Sequence, residues 1–158
     1  MSTSQTNTTT TTNTTTEDVA PTTTSTKKTE IHVYEKFEKM KLKVNLLRGI
    51  FGYGFVKPSP IQKRAIVPIT ERLDVIGQAH SGTGKTGTFL IGTLQRIDDT
   101  KNIVQALCLA PTRELAEQIY TVCKGLCSFT KIKPYLLIGG NDRTVDIANL
   151  EKNTYHII

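Results

Sequence analysis

The sequence has few cysteines and no long apolar run, and both shortages restrict the class of protein. Three cysteines among 158 residues are too few to suggest a disulfide framework. No stretch approaches the roughly 20 apolar residues that cross a bilayer, and no secretory leader is recognisable. We therefore predict an intracellular protein without membrane contact, in the cytoplasm or, as a second option, the nucleus.

Apolar side chains are scarcest at the start of the chain. Residues 1–26 are almost wholly Thr, Ser, Asn and Gln. Burial of so few apolar groups cannot offset the backbone entropy lost on ordering. We predict a disordered tail over residues 1–30 and one folded domain over residues 31–158.

Acidic residues are outnumbered, with 14 Asp and Glu against 20 Lys and Arg, and the formal charge is +6. This surplus favours a polyanionic partner such as nucleic acid, although an ordinary solvated basic surface explains it equally well.

Cys123 and Cys127 lie four residues apart on a predicted helix and are interpreted as buried small hydrophobic residues. The histidines do not fall at finger-like spacings from them, which argues against a zinc site.

Apolar runs that alternate with amphipathic segments predict an α/β fold. A helix containing Val44 and Phe51 comes first, and a second begins at Pro60 and should end or kink at Pro68. The predicted strands cover residues 73–79, 103–110 and 135–138, with a fourth starting at 155, and the helices between them cover residues 85–97, 113–126 and 145–150. This alternation indicates a parallel sheet covered on both faces.

A glycine-rich segment between the first strand and its helix predicts nucleotide binding. Its residues are Ala79, His80, Ser81, Gly82, Thr83, Gly84, Lys85 and Thr86. The two glycines let backbone amides converge on phosphate oxygens, Lys85 supplies a charge for the β and γ phosphates, and the Thr86 hydroxyl can bind Mg²⁺. ATP with Mg²⁺ is the expected ligand, and a glycine-rich turn that binds nothing is the alternative.

A second signal lies upstream, in the segment GFVKPSPIQ at residues 54–62, with Phe37 seventeen residues before Gly54. Taken alone, Gln62 fits a capping-box partner of Ser59, and Phe37 fits a core residue. Taken with the phosphate loop, the arrangement resembles the Q motif of DEAD-box RNA helicases. The resemblance implies that Gln62 binds the adenine edge and that Phe37 stacks on the base.

Two further segments resemble the RNA-binding motifs of that family. The run PTRELA at residues 111–116 is similar to motif Ia, and the pair at residues 139–140 is similar to the family's glycine doublet. The resemblance implies contacts to the RNA backbone from Pro111, Thr112, Arg113, Gly139 and Gly140. Without it, a helix capped by Thr112 and a plain turn are the simpler interpretation.

The resemblance extends from Phe37 to Ile158 and is closest to the translation initiation factor 4A group, which implies RNA unwinding in translation initiation and contacts with initiation factors. His80 stands where the family usually has glutamine, and Gly87 where it usually has alanine. The resemblance implies a RecA-like domain that ends before the DEAD-box strand, so no catalytic set is complete and we expect ATP and RNA binding at most.

A chain of this extent is also expected to expose a strand edge and to aggregate. The alternatives are a non-enzymatic module that binds RNA or a helicase partner, and a non-functional relic. A small nucleotide kinase is a further option, against which the Q-like segment and residues 111–116 both argue.

Overall fold

Helices account for all the regular secondary structure in the part of the chain that the computed structural model describes, residues 32–158. After a 3-10 turn at Phe37–Met40, the helices are α1 (Val44–Gly52), α2 (Pro60–Thr70), α3 (Lys85–Arg96), α4 (Arg113–Leu126) and α5 (Arg143–Lys152). Every predicted helix is present, and each predicted bound lies within two residues of the observed one. The predicted tail over residues 1–30 lies outside the described residues.

Helix α2 begins as its sequence predicts but ends later. The Gln62 side-chain oxygen Oε1 accepts a hydrogen bond from the Ser59 N–H at 2.9 Å, and Pro60 occupies the first helical position. The helix then continues through Pro68 to Thr70, so Pro68 does not end it. A proline this close to the end of a helix removes one hydrogen bond, and the helix continues for two residues beyond it.

One hydrophobic core lies among α1, α2, α3 and α4, and α5 contributes no buried residue to it. Its largest fully buried side chains are Phe37, Leu46, Ile50, Ile66, Leu90, Ile91, Leu94, Ile97 and Leu126. Helices α1 and α4 approach closely at Gly49, where an added Cβ would lie 2.0 Å from the Leu126 carbonyl oxygen. Cys123 and Cys127 are buried and free, as their interpretation as small hydrophobic residues requires.

The predicted parallel sheet is not confirmed. Within residues 32–158 no segment forms a regular strand, and the extended segments meet only at two isolated parallel bridges, from Ile157 to Ala106 and to Pro134. The Ile158 N–H donates to the Ala106 oxygen at 3.1 Å, and the Tyr135 N–H donates to the Ile157 oxygen at 2.9 Å. Residues 156–158 therefore lie between two parallel neighbours, but this contact is too short for a continuous ladder.

The segment at residues 103–110 was predicted to be buried on both faces by helices, but only one of its faces is partly buried. Ala106, Cys108 and Ala110 are half-buried against the core, whereas Leu107 and Leu109 are 69% and 83% exposed. The apolar run in the sequence shows that the segment favours burial, but its exposure depends on which elements pack nearby.

Among residues 32–158, no helix is long and apolar enough to cross a membrane.

Candidate functional site

The phosphate loop lies directly before α3 and has the backbone shape that its glycines permit. Gly82 and Gly84 have φ values of 76° and 91°, a region that side chains with a Cβ rarely occupy. A Cβ at Gly84 would also lie 2.8 Å from the Gln62 side-chain nitrogen Nε2. The loop therefore needs glycine at this position for both its conformation and its packing.

The Lys85 ammonium group binds to the backbone of its own loop. Its Nζ atom donates hydrogen bonds to the carbonyl oxygens of Ala79 at 2.6 Å and His80 at 2.7 Å. The Thr83 hydroxyl donates to the same His80 oxygen at 2.7 Å. The positive charge is thus held at the start of a twelve-residue helix, where the free amides and the helix dipole also favour an anion.

Gln62 connects α2 to this loop. Its Nε2 atom donates to the Gly84 carbonyl oxygen at 3.3 Å, while its Oε1 atom accepts from Ser59. The side chain is 4% exposed. Both the capping contact and a hydrogen bond to the phosphate loop are therefore present, and the amide oxygen and the NH₂ group each have one further hydrogen-bonding position.

The structure does not bring Phe37 to the surface of this site. Its side chain is fully buried and packs edge-on against Phe51, with 6.3 Å between the ring centroids. A purine could stack on this ring only if the ring left the core. The core interpretation of Phe37 is therefore the one that matches the structure.

Phe55 is the aromatic residue that the structure places beside Gln62, and the sequence prediction missed it. A Cβ built at Gly87 would lie 3.0 Å from the Phe55 ring and 2.9 Å from the Gln62 Nε2 atom. The glycine at this position leaves the space that both side chains share. Phe55 is half-buried, with its ring edge-on to Tyr53 at 5.2 Å. Its position next to Gly54 in the Q-like segment is the signal that could have identified it.

The residues expected to contact RNA form one exposed group. The Thr112 hydroxyl oxygen accepts from the Leu115 N–H at 3.2 Å, so Thr112 caps α4 as predicted. Arg113 donates through its NH1 nitrogen to the Gly139 carbonyl oxygen at 3.2 Å and pairs with Glu117 at the same distance. The five residues Pro111, Thr112, Arg113, Gly139 and Gly140 are all exposed.

The turn that carries the two glycines is anchored from both sides. The Tyr135 hydroxyl donates to the Asp146 carboxylate at 2.7 Å, and this hydrogen bond raises the pKa of Tyr135. The contact joins residues 135–138 to α5. Gly139 and Gly140 lie between these two elements, and the Gly140 φ of 92° requires the freedom of glycine.

The described residues fit a nucleotide better than they fit an independent metal site. A positive side chain, free amides and two glycines at positive φ suit a polyphosphate. For Mg²⁺, the Thr86 hydroxyl offers one oxygen, and residues 32–158 contain no group of three or more His, Cys, Asp or Glu able to hold a metal. Mg²⁺ often takes most of its ligands from substrate phosphates and water, which is compatible with this arrangement.

Comparisons with known proteins agree on one family. The model of the DEAD/DEAH box helicase family matches residues 59–158. The ATP-dependent RNA helicase eIF4A of Eremothecium gossypii is 52% identical over 126 residues, covering 80% of this chain and 32% of the relative. Eukaryotic initiation factor 4A of Drosophila melanogaster is 50% identical, with 80% and 31% covered. The chain thus spans about a third of the length of the curated relatives it matches.

Solved structures show the same likeness. A structure of Dbp5 from Saccharomyces cerevisiae bound to RNA and ADP BeF₃ has a TM-score of 0.70 at 35% identity, covering 79% of this chain and 32% of that one. A DEAD box protein from Methanococcus jannaschii has a TM-score of 0.72 at 30% identity, with 79% and 34% covered. The extended segments and helices described above therefore follow the arrangement of these proteins.

Proposed function

The chain belongs to the DEAD/DEAH box helicase family, and we propose from this that residues 32–158 bind ATP and the RNA backbone as part of an ATP-dependent RNA helicase of the initiation factor 4A type. The ATP assignment depends above all on the Lys85 ammonium group in a glycine loop that Gln62 ties to α2. Two elements that are separated in sequence are thereby joined at the loop. An ordinary glycine turn would need neither contact.

The side chains in and around the loop have distinct roles in this proposal. Lys85 and the loop amides bind the β and γ phosphates, and Thr86 gives one ligand to the Mg²⁺ that accompanies ATP. Gln62 uses its remaining donor and acceptor positions for the adenine edge. Phe55, rather than Phe37, offers its ring to the base, because Phe55 is the partly exposed aromatic side chain in contact with Gly87.

RNA binding is proposed for the surface formed by residues 111–113 and 139–140. Arg113 lies at the N-terminus of α4, where free amides and a positive dipole favour a phosphate. The neighbouring glycines let a nucleic-acid backbone approach without side-chain obstruction. Such contacts read phosphates rather than bases, so the proposed binding is not sequence-specific.

The cellular role follows from the relatives rather than from the geometry. Because the relatives include proteins named as initiation factors, we propose a role in cytoplasmic translation initiation, with other initiation factors as partners. ATP-driven RNA unwinding is proposed for the protein type as a whole. The residues described here supply binding groups for that activity.

Thermal unfolding with and without Mg²⁺-ATP tests the nucleotide assignment. At 100 times the dissociation constant, a ligand stabilises the folded state by about 2.7 kcal/mol. We expect ATP to raise the midpoint for the unsubstituted chain and for the control variant Lys124→Ala, which changes an exposed lysine on α4. Lys85→Ala should lose most of the shift. An equal shift in Lys85→Ala would contradict the assignment.

RNA binding is tested separately with a labelled single-stranded RNA at several salt concentrations. Arg113→Ala should weaken binding and lower the salt dependence by about one phosphate contact. Arg96→Ala, at the opposite end of α3 from the phosphate loop, is the matched control. Equal affinities of the two variants would argue against the proposed RNA surface.

A further inference from the structure

Helix α5 is held to the rest of the protein by few contacts. None of its residues is buried, and none belongs to the half-buried side chains that pack against the hydrophobic core. An isolated helix of ten residues is marginal in water, because its few internal hydrogen bonds barely offset the cost of forming the first turn. The helix therefore depends on contacts with other elements to stay folded.

The Tyr135 hydroxyl supplies the side-chain hydrogen bonds that hold α5. It donates to the Asp146 carboxylate at 2.7 Å and accepts from the Asn149 side-chain nitrogen Nδ2 at 3.3 Å. Within residues 32–158, every side-chain hydrogen bond between α5 and another element goes through this hydroxyl, and no ion pair reaches the helix. A hydrogen bond to an ionised carboxylate is stronger than one between neutral groups, so the contact to Asp146 is the main anchor.

The glycine turn is the segment that this anchor controls. Residues 139–142 connect the extended segment at residues 135–138 directly to α5. At the upstream end, the Gly139 carbonyl oxygen accepts from Arg113, and at the downstream end Asp142 caps the helix. Glycine loses more conformational freedom on ordering than any other residue, so a turn with two glycines keeps one shape only while both of its ends are fixed.

We propose that the Tyr135 hydroxyl is a positioning group for the RNA surface: by holding α5 in place, it keeps the glycine turn in the shape that binds the RNA backbone. The inference deepens the proposed RNA binding and rests on it. Tyr135 does not contact RNA in this proposal but acts through Asp146 and the turn. Without the hydroxyl, RNA must order the turn as it binds, which lowers its affinity.

Amide hydrogen exchange of the full chain tests whether the hydroxyl holds α5. Tyr135→Phe removes the oxygen and keeps the ring, whose centroid lies 4.5 Å from that of Tyr155. Tyr155→Phe is the matched control, because the Tyr155 hydroxyl makes no hydrogen bond within residues 32–158. We expect the α5 amides to exchange about fivefold faster or more in Tyr135→Phe and the α4 amides to keep their rates. Unchanged exchange in α5 would overturn the inference.

Titration with a labelled single-stranded RNA tests whether the anchor matters for the RNA surface. Tyr135→Phe changes no charge, so the general electrostatic attraction of RNA is the same in this variant. We expect RNA affinity to fall about threefold or more and ATP affinity to stay unchanged, whereas Tyr155→Phe should change neither. Faster exchange in α5 at unchanged RNA affinity would overturn the positioning role, and so would an equal loss of ATP affinity.

A double variant identifies the group through which Tyr135 acts. Asp146→Ala removes the carboxylate, and the effect of the lost charge on RNA binding is common to both members of the comparison. In this background Tyr135→Phe should cause little further loss of RNA affinity. A full additional loss would contradict a role through α5. Failure of the unsubstituted chain to bind RNA would instead overturn the proposed function.

Discussion

At the scale of single residues, local chemistry was predictable and long-range placement was not. Ser59, Gln62 and Thr112 make the capping contacts that their own sequence neighbourhoods indicate, because a cap involves atoms three or four residues away. Phe37 is different: it is buried in the core and packs against Phe51, fourteen residues along the chain. A motif spacing alone cannot show which face of such a ring is covered.

Phe55 and Phe37 can therefore be separated by experiment. Phe55→Leu should lower ATP affinity about tenfold or more with a small effect on folding, since stacking of a ring on a base is worth about 1–3 kcal/mol. Phe37→Leu should instead lower the free energy of unfolding by about 1–2 kcal/mol through lost packing. Nucleotide titration and denaturant unfolding of both variants measure the two effects. If Phe37→Leu lost affinity at unchanged stability, the assignment of the stacking ring would revert to Phe37.

At the scale of elements, the helices were predictable because amphipathic spacing and capping residues act together. Helices α3 and α4 begin at the predicted residues, after a glycine loop and a threonine cap. The contact between α1 and α4 was not predictable. It depends on Gly49 and Gly125, whose missing Cβ atoms leave room for the Leu126 backbone and the Tyr53 ring. Nothing in a helical periodicity shows which glycine lies at a helix crossing.

Gly49→Ala should destabilise the protein even though alanine favours a helix by about 1 kcal/mol over glycine. The new Cβ would lie 2.0 Å from a backbone oxygen, which forces the two helices apart. Overpacking of this kind costs about 1–3 kcal/mol or more, so we expect a net loss in denaturant unfolding. Gly139→Ala is the control, because a Cβ there meets no atom within 4 Å. Equal stability of both variants would show that α1 and α4 separate without cost.

At the scale of the whole molecule, the parallel direction of the extended segments was predictable, and the burial of their side chains was not. Residues 105–108 and 133–135 both run parallel to residues 156–158. Yet Leu107, Leu109 and Ile76 are largely exposed, Ile76 completely so. An apolar run predicts that a segment prefers burial, but which partner buries it is a property of the assembled structure.

These exposed side chains predict self-association. Leu107→Lys combined with Leu109→Lys should lower the average mass measured by light scattering at high protein concentration, because charge on an exposed apolar segment opposes strand pairing. Val44→Lys combined with Val56→Lys is the control, since these residues are equally exposed but lie outside the extended segments. If both double variants stayed associated to the same degree, the segment at residues 103–110 would not be the contact surface.

The two carbonyl partners of Lys85 have a consequence for anion selectivity. A bound phosphate must offer oxygens to the ammonium group in place of both carbonyls and further oxygens to the amides of the loop. A triphosphate carries more oxygens than inorganic phosphate, so it compensates more fully for the hydrogen bonds that Lys85 gives up. We therefore expect the loop to bind longer phosphate chains more tightly than inorganic phosphate.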